Sequence, residues 1–192
     1  MSKSLQGAPS VNLLAVDTAT EGCSAACLAG DKSFERYAVD PQGHSRTLLG
    51  MVEAVLAEAQ LERSALDALA YDAGPGSFTG IRIGAGVAQG LALGLEKSLL
   101  GVSSLMTLAE GARREQPNCN SVLAAIDARM DQVYWARLES DPEAPGHWRW
   151  DEMPCVSEPR EVAAHISGCT GVGSGWDRYS DVFMGDRPMP WL

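Results

Sequence analysis

Two aspartates are the residues whose placement invites chemistry. Asp17 closes the apolar run NLLAVD, and Asp127 closes the run LAAID. The stretches around them, LLAVDTATEGCSAACL at 13–28 and LAAIDARMDQVYWARL at 123–138, overlay at a constant offset of 110 residues. Asp127 falls on Asp17, Ile126 on Val16, Ala125 on Ala15 and Leu138 on Leu28. Carboxylates at strand ends can hold magnesium and phosphate, but backbone N–H groups must then approach phosphate oxygens, which usually needs glycine after the Asp. The turns read Asp17-Thr18-Ala19-Thr20 and Asp127-Ala128-Arg129-Met130, without glycine. Thr18 and Thr20 offer hydroxyl donors and Arg129 a positive charge. Two readings stay open: a weak nucleotide contact at Asp17, Thr18, Asp127 and Arg129, or aspartates that only cap strand ends and turns. Independent ATP hydrolysis is impaired on either.

The second unusual segment is GPGSFTGIRIGAGVAQGLALG at 74–94. No GK[ST] follows its glycines, so it is not a Walker A loop, and Gly80 comes one residue too late for a dinucleotide fingerprint. The spacing predicts a sharp turn and then a helix to about Gly94, capped by Ser77 or Thr79. Each glycine inside a helix costs roughly 1 kcal/mol relative to alanine. Close approach of a neighbouring backbone would offset that, because small residues let helices pack at short distance. Gly80, Gly84, Val87 and Leu91 form one stripe and Arg82, Gly86, Gly90 and Leu93 another. Two smooth faces suggest two neighbours; a single tight helix–sheet contact is the other reading.

The elements that position these segments follow from periodicity. NLLAVD, SAACLAG and SFERYAV read as a three-strand meander. HSRTLLGMVEAVLAEAQ at 44–60 carries Leu48, Met51, Val52, Val55 and Leu56 at helical spacing. Ser64 is expected to cap a short turn before the strand LDALAYDAG. SLLGVSS and LMTLAEGARRE read as strand and helix. The second half repeats the meander, with HWRWDEMPCVS as third strand, a short helix through EPREVAAHI and the strand CTGVGSG. It then stops, leaving no room for closing helices. The expected fold is α/β: two duplicated ribonuclease-H-like lobes on the plan of the actin-like ATPase superfamily. The lobes are residues 11–116 and 117–192, the second short and apparently truncated.

Composition narrows the function. Apolar residues make up 45% and charged residues 21% of the 192, ordinary for a globular protein. No uninterrupted apolar run reaches the roughly 18 residues a membrane span needs, and the polar N-terminus lacks a secretory apolar core, so a cytoplasmic protein is expected. A net charge of −10 with 15 scattered Lys and Arg argues against direct, tight nucleic-acid binding by this chain alone. Arg113-Arg114 reads as a solvated helix C-terminus. The five cysteines, Cys23, Cys27, Cys119, Cys155 and Cys169, have no CxxC spacing. Cys23 and Cys27 lie about 13 Å apart along a strand, too far for a bridge, and buried reduced thiols are expected.

LLAVDTATEGCSAA, HSRTLLGMVEAVL, GPGSFTGIRIGAGVAQGLALG followed by GVSSLMTLA, and DARMDQVYWA together resemble the TsaB (YeaZ) family, in order and with normal spacing over most of residues 12–136. The resemblance implies a two-lobed actin-like protein with no catalytic residues of its own. Its catalytic paralogue, TsaD, transfers a threonylcarbamoyl group to an adenosine beside the tRNA anticodon; a small ATPase, TsaE, joins them, and tRNA is met only indirectly. Pairing through the first two helices is implied, and homodimers form through the same surface. On this chain the interface would comprise His44, Leu48, Met51, Val52 and Val55 with Arg82, Gly84, Gly86, Val87, Ala88, Gly90 and Leu91. Gly84→Leu or Ala88→Arg would then break pairing and spare the fold. No cofactor of its own is implied, with ATP and magnesium at most at the joint surface. The paralogue binds metal through HxxxH on its first helix; here His44 is followed by Leu48, so neither that metal site nor a metallopeptidase is expected. The sequence also departs from the family at its end, where relatives continue past the strand near residue 171.

Overall fold

The structure, a computed structural model, describes residues 11–40, 43–144 and 146–184. It divides into two compact units, one comprising residues up to Ala73 with Phe78–Gly101 and the other Gly74–Ser77 with Val102 onward.

In the first unit, β1 (Asn12–Asp17), β2 (Gly22–Ala29) and β3 (Lys32–Val39) form an antiparallel meander. β4 (Ala68–Asp72) lies parallel to β1, and β5 (Ser98–Val102) completes the order β3-β2-β1-β4-β5. Burial alternates along the strands: Leu14 and Val16 on β1 and Cys23, Ala25 and Cys27 on β2 are buried, while their neighbours are not. Period-two burial means that one face meets the core. That core is closed by α1 (His44–Glu58) through Leu48, Val52, Val55 and Leu56, and by α2 (Phe78–Leu95) through Ala88 and Ala92. Burying a side chain such as Leu48 contributes roughly 1.5–3 kcal/mol.

α2 is the predicted glycine-rich helix, and its sheet-facing stripe is Gly80, Gly84, Ala88 and Ala92. Val87 and Leu91, expected on that stripe, pack at the edge of the core instead. The i, i+4 row of minimal side chains lets the helix lie low over the strands: a Cβ on Gly84 would sit 2.6 Å from Thr18 Oγ1. Ser64 lies inside a 3-10 turn, Arg63–Ala65, preceded by Glu62, rather than capping it.

In the second unit the sheet order is β8-β7-β6-β9, from β6 (Ser121–Arg129), β7 (Gln132–Ser140), β8 (Trp148–Ser157) and β9 (Thr170–Val172). β6 to β8 are antiparallel neighbours and β9 runs parallel to β6. Val122 through Ile126 are all buried, because helices cover both faces. On one side α3 (Ser104–Glu115) brings Leu105, Ala109 and Ala112 against Val122, Ala124 and Ile126. On the other, α4 (Pro159–Val162) and α5 (Ser174–Met184) bring Val162, Trp176 and Phe183 against Leu123, Ala125 and Trp135. Since α3 belongs to this core, the units divide after Gly101 and not at the expected 116/117.

Two further expectations change. Residues 174–184 form a helix, α5, where the chain was expected to have run out of helices. The overlay of the two hairpins also breaks. Leu13 pairs with Leu28, but Leu123 pairs with Arg137, so the second hairpin is one residue tighter. A one-residue slip turns side chains to the opposite face, and Leu138 is fully buried where Leu28 is only partly so.

Candidate functional site

Asp17 ends β1 beside Asp72, which ends the parallel neighbour β4. Asp17 Oδ1 accepts the Ala19 N–H at 2.8 Å, closing an Asx turn. Burial pushes the Asp17 carboxyl above its ordinary value of 3.8, against the opposing pull of the Ala19 N–H, a hydrogen bond with Asp72 and the charge of His44. Two carboxyls in contact titrate as a pair, and one of them keeps a proton more readily than an isolated carboxyl would. Thr18, fully buried, donates its hydroxyl to the Gly80 carbonyl at 2.7 Å, tying the first turn of α2 to the β1 turn. Thr20 Oγ1 accepts from Gly22 N at 3.3 Å. Thr18 and Thr20 thus serve the turn itself.

His44 is buried at the start of α1, with Nε2 3.3 Å from the Glu21 carbonyl. A carbonyl only accepts, so Nε2 carries the proton. One turn on stands Leu48, fully buried hydrocarbon. His44 and Leu48 together offer a metal one ligand, where an HxxxH pair would offer two.

Asp127 meets a different fate. Its Oδ2 accepts from Arg178 Nη1 at 2.8 Å. Its Oδ1 accepts from the Arg129 N–H at 3.1 Å and the Tyr179 hydroxyl at 3.3 Å. Its backbone N–H donates to Ser174 Oγ at 3.2 Å. Burial and the Asp127 charge push the Tyr179 phenol up, which keeps it a donor. A cation approaching Asp127 would have to displace Arg178. Ser174, Arg178 and Tyr179 are contacts that the sequence reading missed; Trp176, Tyr179 and Phe183, at helical spacing, were the available signal. Beyond Asp127 the hairpin tip, Arg129-Met130-Asp131, has φ of 63°, 52° and 55°, and all three side chains are exposed. Asp17 and Thr18 lie together in the first unit, and Asp127 and Arg129 in the second.

The expected interface residues separate into three groups. His44, Leu48, Val52, Val55, Gly84 and Ala88 are buried in the first unit, so they are core rather than contact surface. Met51, Val87 and Leu91 pack at its margin. Arg82, Gly86 and Gly90 are exposed, and a Cβ on either glycine would meet nothing within 4 Å. The exposed face of α2 also carries Phe78, 69% exposed beneath the Arg82 guanidinium at 3.7 Å, and Leu93, 82% exposed. α2 is an 18-residue helix long and apolar enough by composition to cross a membrane, with 22% of it buried. The absence of a continuous apolar run therefore understated its hydrophobicity.

A sequence model of the TsaD family, described as tRNA N6-adenosine threonylcarbamoyltransferase, matches residues 39–144. The tRNA threonylcarbamoyladenosine biosynthesis protein TsaB of Escherichia coli K12 is 43% identical over 176 residues, covering 90% of this chain and 75% of that protein. Its Haemophilus influenzae counterpart is 37% identical over 177 residues, covering 88% and 75%. The solved structure of YeaZ from Pseudomonas aeruginosa superposes with a TM-score of 0.84 at 41% identity, over 94% of this chain and 86% of that one. The glycine-rich helix, the Asp-bearing first strand and this extent of identity place the chain in the TsaB (YeaZ) family.

Proposed function

We propose that this chain is a non-catalytic partner subunit that binds and activates a TsaD-like catalytic subunit. The complex would install threonylcarbamoyl on the adenosine beside the tRNA anticodon. The observation that carries this reading is α2. A helix with Phe78 and Leu93 exposed, and with open space over Gly86 and Gly90, is covered on one side only. A second polypeptide packed there would bury the apolar residues and approach the helix backbone closely. Leu49, half exposed on α1, and the unobstructed Gly50 extend the same kind of surface. A homodimer through these helices competes for the same face, and a TsaE-like ATPase joins the assembled pair. ATP and magnesium belong to the joint surface rather than to this chain, and tRNA is met through the partner. Because α2 packs along its length on a sheet, we read it as a helix of a cytoplasmic protein.

We further infer that the two units descend from one ribonuclease-H-like plan of the actin-like superfamily. Supporting this, the orders β3-β2-β1-β4-β5 and β8-β7-β6-β9 agree strand for strand, apart from the fifth strand of the first sheet. The alternative, a small ATPase using Asp17 and Asp127, predicts magnesium-dependent turnover lost in Asp17→Asn. The Arg178 ion pair on Asp127 speaks against it.

Gel filtration with a TsaD-like protein tests the main reading. One shared peak is expected for the wild type, and two peaks for Gly90→Arg/Leu93→Arg, whose own melting temperature does not fall. Separate wild-type peaks at micromolar concentration would overturn it.

A further inference from the structure

The second unit contains a cavity of about 430 Å³ between α3 and the start of β8, within the range typical of small-molecule sites. It is built around Glu110. The Glu110 carboxylate receives both Arg113 Nε and Nη2, at 2.8 and 2.6 Å, together with Arg114 Nε at 3.2 Å and Trp148 Nε1 at 3.3 Å. These bonds hold the carboxyl at about 2, so it is ionised throughout the neutral range. Each oxygen already accepts two donors, and Glu110 has nothing left to offer a ligand. Its effect is to position the other groups.

Trp148 lines the cavity with its one polar atom already taken, so it presents only ring carbons. Met106 and Val102 add apolar wall. Arg114 also lines the cavity and is three-quarters exposed, with one nitrogen bound to Glu110. Two arginines against one glutamate leave a positive charge, in a chain whose net charge is −10. Glu115 follows Arg114 about 100° around the helix, and Asp141 is engaged by Arg149 at 3.8 Å. Two glycines keep the space open. Gly111 on α3 and Gly146 before β8 both border the cavity, and a Cβ on either would meet nothing within 4 Å. A helix-interior glycine costs roughly 1 kcal/mol relative to alanine, and no neighbouring atom within the unit accounts for Gly111.

We propose that this cavity is a nucleotide-binding site, with a base stacked on Trp148 and a phosphate held by Arg114. An aromatic wall beside a pre-oriented guanidinium favours a flat ring that carries an anion. The nucleotide is either free or an unpaired residue of an RNA strand. Binding here does not require the assembly proposed above.

Titration calorimetry of the purified chain tests it, with AMP, adenosine, inorganic phosphate and single-stranded hexaadenylate as probes. AMP is expected to saturate, with adenosine and phosphate each at least tenfold weaker. Arg114→Ala should weaken AMP at least tenfold, and Gly111→Leu, which fills the cavity, should abolish binding. Both positions are exposed, so Arg114→Ala should melt close to the wild type and Gly111→Leu no lower than it. Hexaadenylate binding more tightly than AMP identifies an RNA strand as the source; equal or weaker binding identifies the free nucleotide. No saturable binding of AMP or hexaadenylate at millimolar concentration overturns the proposal, as does binding that survives both substitutions.

Discussion

The two units treat corresponding aspartates in opposite ways. Asp17 sits beside a second carboxyl, and burial raises its proton affinity. Asp127 is met by a guanidinium at 2.8 Å from a helix fifty residues downstream. The cores differ in parallel: the first sheet buries β1 on alternate residues, whereas helices enclose β6 on both faces. An Asp at the end of a first strand therefore fixes no function by itself. Its surroundings decide: burial raises the proton affinity of Asp17, whereas Arg178 pairs the charge of Asp127.

Breaking the enclosed unit should have the largest effect. Trp176 is buried, donates to the Leu123 carbonyl at 3.0 Å and meets Phe183 edge-on at 5.0 Å. Trp176→Ala should cost about 3–5 kcal/mol, read as a lower urea midpoint for the unit containing α5. Next comes Gly84→Leu in the first unit. Thr18 Oγ1 stands 2.6 Å from where the new Cβ would go, and overpacking of this kind costs about 1–3 kcal/mol in the same measurement. This variant thus tests α2 as a sheet-covering helix and cannot test pairing alone.

The raised proton affinity of Asp17 gives a pH signature. A carboxyl whose folded pKa is raised binds more protons folded than unfolded, so stability falls as pH rises from the unfolded value of 3.8 through the raised folded value. Above that window the loss is complete and constant. Asp17→Asn keeps an oxygen for the Ala19 N–H and removes the titration. Its urea midpoint should lack this fall, and a wild-type profile parallel to that of the variant would refute the raised proton affinity of Asp17. The smallest effect is expected for Arg178→Ala, at an exposed ion pair. A slight drop in midpoint should appear at low salt and vanish at high salt.

Local order was legible where periodicity was strong. α1 was expected over 44–60 and found at His44–Glu58; α2 was expected to end near Gly94 and ends at Leu95. Four of the five cysteines are buried and all are free, with Cys155 exposed. What stayed hidden depended on distant partners. Gly84 and Ala88 read equally well as contact surface or as core, because a small residue shows no preference until the Thr18 turn is placed beside it. Arg113 and Arg114 read as a solvated pair, although both bind Glu110, and Trp148 joins them from another element. α5 was missed although Trp176, Tyr179 and Phe183 stand at helical spacing, because Gly173 and Gly175 read as a turn after β9. The one-residue difference between the hairpins arises at a bulge between Asp127 and Arg129, at the end of β6, which a residue-by-residue overlay cannot show.

The tip of the second hairpin bears on engineering. Arg129, Met130 and Asp131 hold successive left-handed backbone angles without glycine, at roughly 1–2 kcal/mol each for ordinary side chains. Met130, 90% exposed, contributes no packing in return. Anyone seeking a more heat-resistant version of this protein has a ready candidate in Met130→Gly, and any activity forfeited by that change would reveal what the strained thioether is kept for.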